Sequence, residues 1–364
     1  MPSHPASRRA RAWIINYSAR SQRERRAITL LVILCLALPP TLLAGLASGA
    51  VGIPLGRVLQ ALATVFVGSA DSQIDLIVNE LRLPRVLLAA VMGATLAMTG
   101  AATQGLFRNP LADPSLIGVT AGASLGAALI IVTGGTLLTG YTGLTLVSAG
   151  AFAGGVVAVL FVYRLATSAN GTSVATMLLA GIAITALAGA LGSLLEFFAD
   201  NEMLRRISLW KMGGLDGASY PRLLIALSVS APLWLALPRY ANALNALLLG
   251  ESEARHLGIP VARVKVALIS WVAIGVGTSV AMVGTIAFVG LIVPHMVRML
   301  AGPDHRYLLP CSALAGALLL VSADLFARVL VAPTELPVGI ITAVIGVPFF
   351  ISLLRNRHHY GMQT

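Results

Sequence analysis

Runs of apolar residues about 17–25 long recur along the whole chain, separated by short polar loops. At 1.5 Å of rise per residue, about 20 such residues cross a hydrocarbon core of about 30 Å. Ten segments approach that length: roughly 27–48, 84–106, 115–133, 142–165, 172–198, 219–237, 263–285, 287–301, 308–330 and 338–354. The eighth is short, and the third to fifth are interrupted by glycine, so their edges are the softest. The pattern predicts an all-α polytopic protein with an Arg-rich lead at 1–26, a ten-helix domain at 27–354 and a short tail at 355–364.

Three polar stretches depart from plain loops. The longest, Pro238 to Lys265, carries Leu244, Leu247, Leu248 and Leu249, then the cluster Glu251, Glu253, Arg255 and His256, flanked by Gly250 and Gly258 and stopped by Pro260. That order predicts two short helices with a glycine break, at about 238–262 and outside the bilayer. Residues 49–83 hold a possible surface helix from Pro54 to Val67, and 199–218 an amphipathic one with Trp210 as interfacial anchor.

Composition agrees with a membrane chain. Hydrophobic residues make up 57% and charged residues 11%, against about a quarter charged in soluble domains. The 36 glycines suit helices packed backbone to backbone. A net charge of +11 raises the question of nucleic acid, but the basic residues are scattered between apolar segments or gathered at the N-terminus, where topology explains them. With the N-terminus in the cytoplasm, 17 of 25 basic residues lie inside, which puts both termini and the 238–262 helices on the cytoplasmic side. The first apolar run is long enough to span, so it is read as an uncleaved helix rather than a leader. Cys35 and Cys311 sit in apolar runs and are expected to be small buried hydrophobes.

Candidate chemistry is sparse. The only two lysines follow Trp210 and Val264, so no GxxxxGK[ST] phosphate loop exists, and any ATP chemistry belongs to another chain. HExxH is also missing, the GxSxG at 122–126 lies within an apolar run and so makes no strand-to-helix elbow, and His295, His358 and His359 lack partners at ligand spacing. Asp324 and Arg328 stand one turn apart and can neutralise each other. Arg82, Arg85 and Arg328 near one membrane face form either an anion-attracting rim or ordinary snorkelling cations. In GLFRNPLADPS, Asn109 and Asp113 offer helix-end caps at a turn. A weak echo between Met98–Pro110 and Met282–Pro294 suggests inverted repeats.

The motifs LRLPR (81–85), TQGLFRNPLADPSLIGVTAGA (103–123), LLGESEARHLG (248–258), GTIAFVGLIVPHMVRMLAGPDHR (284–306), ADLFAR (323–328) and ELPVGIITAVIGVPFF (335–350) together resemble the FecCD-like permease subunits of ABC importers for iron chelates, haem and cobalamin. The resemblance implies a type II importer permease fold of ten helices, a homodimer around one path, two ATP-binding subunits and a periplasmic substrate-binding protein, in a bacterial inner membrane. It implies that this chain binds no cofactor, with ATP and Mg used by the partner subunits. Gly250, Glu251, Ser252, Glu253, Ala254, Arg255, His256, Leu257 and Gly258 match the ATPase coupling segment. Arg82, Arg85 and Arg328 match arginines that meet glutamates of the binding protein. Asn109 and Leu111 match a cytoplasmic gate, and Thr172 and Ser173 a second gate loop that departs from the family's Ser/Thr-rich turn at Val174 and Ala175. GESEARHLG is most similar to the haem importers, which implies haem as cargo, with siderophore or cobalamin as the alternative. An ion-coupled carrier and an intramembrane hydrolase are the competing classes; the scarcity of midplane carboxylates and of catalytic pairs weighs against them.

Overall fold

The computed structural model describes residues 5–67, 72–134, 140–168 and 171–355. His358, His359, Arg357 and Asn170 lie outside the described residues, as do the side chains of Arg8, Arg9, Arg11 and Arg20. The helices are α1 (Pro5–Ala47), α2 (Leu55–Val67), α3 (Gln73–Leu76), α4 (Leu83–Leu106), α5 (Val119–Gly134), α6 (Gly140–Ala166), α7 (Val174–Phe198), α8 (Asn201–Met212), α9 (Tyr220–Ala236), α10 (Ala241–Leu247), α11 (Glu251–His256), α12 (Val261–Val283), α13 (Val289–Ala301), α14 (His305–Val329) and α15 (Val338–Arg355). Among the described residues, seven helical segments are long and apolar enough to cross a membrane, and α5, α13 and the apolar part of α15 are shorter apolar helices, which together account for the ten expected.

Helix α4 is the axis of the bundle, with 89% of its apolar window buried. It can sit there because its inward positions are small. A Cβ added at Gly93 would lie 2.2 Å from the Gly316 carbonyl oxygen of α14, and one at Gly100 would lie 1.9 Å from that of Gly290 in α13. Glycine is the residue that permits such backbone contact, and without a hydrophobic effect between helices in lipid, that close packing is what holds them together. Helices α5 and α6 repeat the device, with Gly126 against Gly150 and Gly122 against Gly154. The two echoing segments touch, since Gly100 meets Gly290 and Gln104 Nε2 donates to the Leu291 carbonyl at 3.0 Å.

Several expectations are adjusted. The surface helix at 54–67 is α2 and that at 199–218 is α8, but Trp210 is half-buried against the core rather than lying free at an interface. Cys311 is buried, whereas Cys35 faces outward from α1. The fifth span begins after a two-stranded hairpin, Thr167–Ser168 against Gly171–Thr172, too short for any periodicity to reveal. The stretch from 238 is not wholly an outside handle: after a 3-10 turn at Leu237–Tyr240 that prolongs α9, α10 buries Ala241, Leu244 and Leu247.

Candidate functional site

Two polar constellations lie at opposite ends of the antiparallel pair α4 and α14. At one end, α10 is tied to the start of α14. Asn245 Nδ2 donates to Asp304 Oδ1 at 2.8 Å, and Asn245 Oδ1 accepts the His305 backbone N–H at 2.9 Å. Asp304 caps α14 by accepting the Arg306 N–H at 3.0 Å, and its carboxylate also takes the Arg306 guanidinium. Burial pushes the Asp304 carboxyl up, but the hydrogen bonds from Arg306 and Asn245 outweigh it and hold it at about 2.

From this base α11 projects outward between two glycines. Gly250 has φ 122° and ψ 155°, a conformation open only to glycine without strain. Gly258 at φ 80° closes the helix. There the Ile259 N–H reaches the Ala254 carbonyl at 3.0 Å and the Gly258 N–H reaches that of Arg255 at 2.9 Å, the paired bonds of a Schellman end. Gly250 therefore makes the break between the two short helices, while Gly258 turns the chain from α11 into α12. Ala254 is fully buried and anchors α11; Ser252, Glu253, Arg255, His256, Leu257 and Gly258 are exposed, and Glu251 is half-buried. Leu249 and Leu257 stand 68% and 63% exposed on either side of the charged face. An apolar pair thus frames the charged face of this short helix, which Ala254 alone anchors by full burial.

Next to it is the turn after α4. Asn109 Oδ1 accepts the Leu111 N–H at 2.9 Å, and Arg108 takes φ 51°. Asp113 caps the following 3-10 turn through the Ser115 N–H at 2.8 Å. Asn109 is exposed and Leu111 half-buried. Ser173 caps α7 by accepting the Thr176 N–H at 3.3 Å, and Thr172 pairs with Thr167 across the hairpin. One buried cation connects this hairpin to α11. Lys265 of α12, 4% exposed, makes an ion pair with Glu251 at 2.5 Å and donates to the Thr172 carbonyl at 2.8 Å.

At the opposite end the arginines behave differently from the expected rim. Arg82 is 8% exposed and donates to the carbonyls of Leu46 at 2.7 Å, Ala47 at 3.1 Å and Val51 at 2.6 Å. Arg328 is 3% exposed, donates to those of Gly45 at 2.8 Å and Ser48 at 2.9 Å, and pairs with Asp324 at 3.0 Å, as their one-turn spacing suggests. Both side chains thus satisfy the orphan carbonyls at the end of α1, where a cation also complements the helix dipole. Arg82 and Arg328 therefore point into the fold. Arg85 bridges Asp324 at 2.9 Å and the surface-reaching Glu335 at 2.6 Å. Glu335, quoted in the sequence only as part of a motif, is therefore a member of the cluster. A hollow of about 430 Å³ opens beside Arg85 and Glu335, with Trp210 and Asp216 on its wall.

The model of the FecCD transport family matches residues 30–356. The hemin transport system permease protein of Yersinia pestis is 44% identical over 307 residues, covering 83% of this chain and 90% of that protein. The cobalamin import system permease protein of Halobacterium salinarum is 43% identical over 306 residues, covering 84% and 80%. A solved metal-chelate type ABC transporter in an inward-facing conformation superposes with a TM-score of 0.79 at 33% identity, covering 90% of this chain and 99% of the other. Sequence and architecture agree over nearly the whole length, and the chain belongs to the FecCD transport family as a membrane permease of the ABC importer type.

Proposed function

We propose that this permease is the membrane subunit of an ATP-driven importer that carries an iron-containing chelate, haem foremost, from periplasm to cytoplasm. It works as a homodimer in a bacterial inner membrane with both termini cytoplasmic, gripped by two ATP-binding subunits and fed by a periplasmic binding protein. ATP and Mg act in those subunits, and this chain binds no cofactor of its own. The observation that carries the reading is the exposed α11 surface, Gly250 to Gly258, standing off the bundle in a chain with no phosphate loop. Asn109, Leu111, Thr172 and Ser173 lie at the same end of the bundle, where a gate beneath the path would close.

At the other end Arg85 is the arginine placed to meet a carboxylate of the binding protein. Glu335 occupies it in the absence of a partner, and an incoming glutamate would exchange with it. Arg82 and Arg328 add to the positive field from buried positions and keep α1 in register. Haem rests on the hemin permease relative and on the wording of residues 250–258; cobalamin is the second reading, favoured by several cobalamin permeases among the relatives.

The experiment is the reconstituted complex in vesicles, with haem and cobalamin each supplied on the binding protein. Haem is expected to stimulate ATP hydrolysis and accumulate inside. Stimulation by cobalamin alone transfers the assignment to cobalamin, and uptake without any ATP-binding subunit overturns the importer reading.

A further inference from the structure

We propose that Lys265 is a positioning residue that transmits movement of α11 to the strand pair Thr167–Ser168 and Gly171–Thr172 and thereby to α7. The inference rests on the reading of Gly250–Gly258 as the surface the ATP-binding subunit grips. Its basis is the placement of a single ammonium. Lys265 sits in the second turn of α12, nearly sealed from solvent, with Nζ bonded at once to Glu251, the first residue of α11, and to the Thr172 carbonyl of the hairpin.

An ammonium withdrawn from water costs several kcal/mol unless charge and hydrogen bonds compensate it. Here the compensation is divided between two elements that belong to different parts of the bundle. If α11 shifts, Glu251 shifts with it, and Lys265 must either follow or surrender its ion pair. A four-carbon stem with three rotatable donors allows it to follow. Its remaining bond then moves the Thr172 carbonyl, one residue before the Ser173 cap of α7.

The receiving helix α7 packs mainly on α5 and α6 rather than on the buried α4. The hairpin itself is two residues per strand, held by its own pairing and by Lys265. The alternative route from α11 to the core, through α10, leads to Asp304 and the start of α14, which packs along the buried α4 and is a poor candidate for motion.

The test uses the complete complex in vesicles carrying the binding protein and haem, with Ser168→Cys as a maleimide probe of the hairpin in a Cys35→Ala background. In the parent complex, labelling of Cys at 168 should differ between the nucleotide-free and the ATP-plus-vanadate states. K265M is expected to abolish that difference and to lower haem delivered per ATP hydrolysed about tenfold, within the usual range of coupling free energies. K265R should restore both. K265Q, which keeps a donor for the Thr172 carbonyl but loses the ion pair, should behave as K265M does, and it replaces K265M if the latter fails to assemble. A nucleotide-dependent label and an unchanged haem-to-ATP ratio in K265M, or native behaviour in K265Q, overturn the proposal, as does a variant whose only change is a lower melting temperature. A parent complex without ATP-driven uptake faults the importer reading instead. Loss of the nucleotide-dependent label in K265M would still support the positioning role of Lys265 in that case.

Discussion

The two ends of the α4–α14 pair hold the same kinds of residue and use them in opposite ways. At the α11 end, Glu253, Arg255 and His256 stay in solvent, Arg255 spending only its Nε on the Glu251 carbonyl at 3.2 Å, because Gly258 closes the helix through its own backbone. At the Arg85 end, the carbonyls closing α1 have no glycine cap, and Arg82 and Arg328 are drawn inward to satisfy them. Charge near a helix end becomes surface or scaffold according to who satisfies the backbone. The same lesson separates Glu251, held by a buried lysine, from its exposed neighbour Glu253.

Breaking the scaffold should cost most. Arg328→Leu removes two caps from α1 and one partner from the buried Asp324, and a loss of about 3–5 kcal/mol is expected for a broken buried pair. Thermal unfolding of the detergent-solubilised protein checks it; a melting temperature within a few degrees of native would return Arg328 to the surface role. Gly250→Val comes next, because it forces a β-branched residue to φ 122° at a cost of about 1–3 kcal/mol. That strain should misplace α11 and abolish stimulation of the ATP-binding subunit, read as hydrolysis by the assembled complex.

Arg85→Glu sharpens the comparison on the outer side. It puts a third acid beside Asp324 and Glu335, and binding-protein affinity should fall by a factor that shrinks as salt rises, in keeping with screening. Salt-independent affinity in this variant would assign docking elsewhere.

Smaller still is the Asp304 lock. Its carboxyl, ordinarily near 3.8, sits at about 2, so its contribution is fully present above the unfolded value and is lost as pH falls towards 2. Asp304 is partly exposed, and solvent screening limits the effect to under about 1 kcal/mol. The stability gap between the native protein and D304N, followed from pH 6 downward, should narrow below about pH 4 and close near pH 2. Arg255→Ala should be the mildest for folding, within about 0.5 kcal/mol, while weakening association with the ATP-binding subunit. A large stability loss there would make α11 part of the scaffold.

Much of this was legible in advance. Apolar length set the spans, and the Gly250–Gly258 spacing marked α11 as a capped helix, since capping is a local affair of a few residues. The Asp324–Arg328 pair followed from one turn of helix. The inward fate of Arg82 did not, because its acceptors, Leu46, Ala47 and Val51, lie more than 30 residues upstream and their position depends on how α1 packs. Glu335 is likewise 250 residues from Arg85. The hairpin escaped because two-residue strands have no period to detect.

The chain's order of residues alone determined a ten-helix apolar bundle, the absence of a nucleotide-binding loop, and a short charged helix set between glycines, because length, composition and caps act over a few neighbouring residues. Only the folded structure decided which charges that bundle would keep for itself. Arg82, Arg328 and Lys265 were committed by carbonyls and carboxylates distant in sequence, and a buried charge takes whatever partner the packing brings within reach.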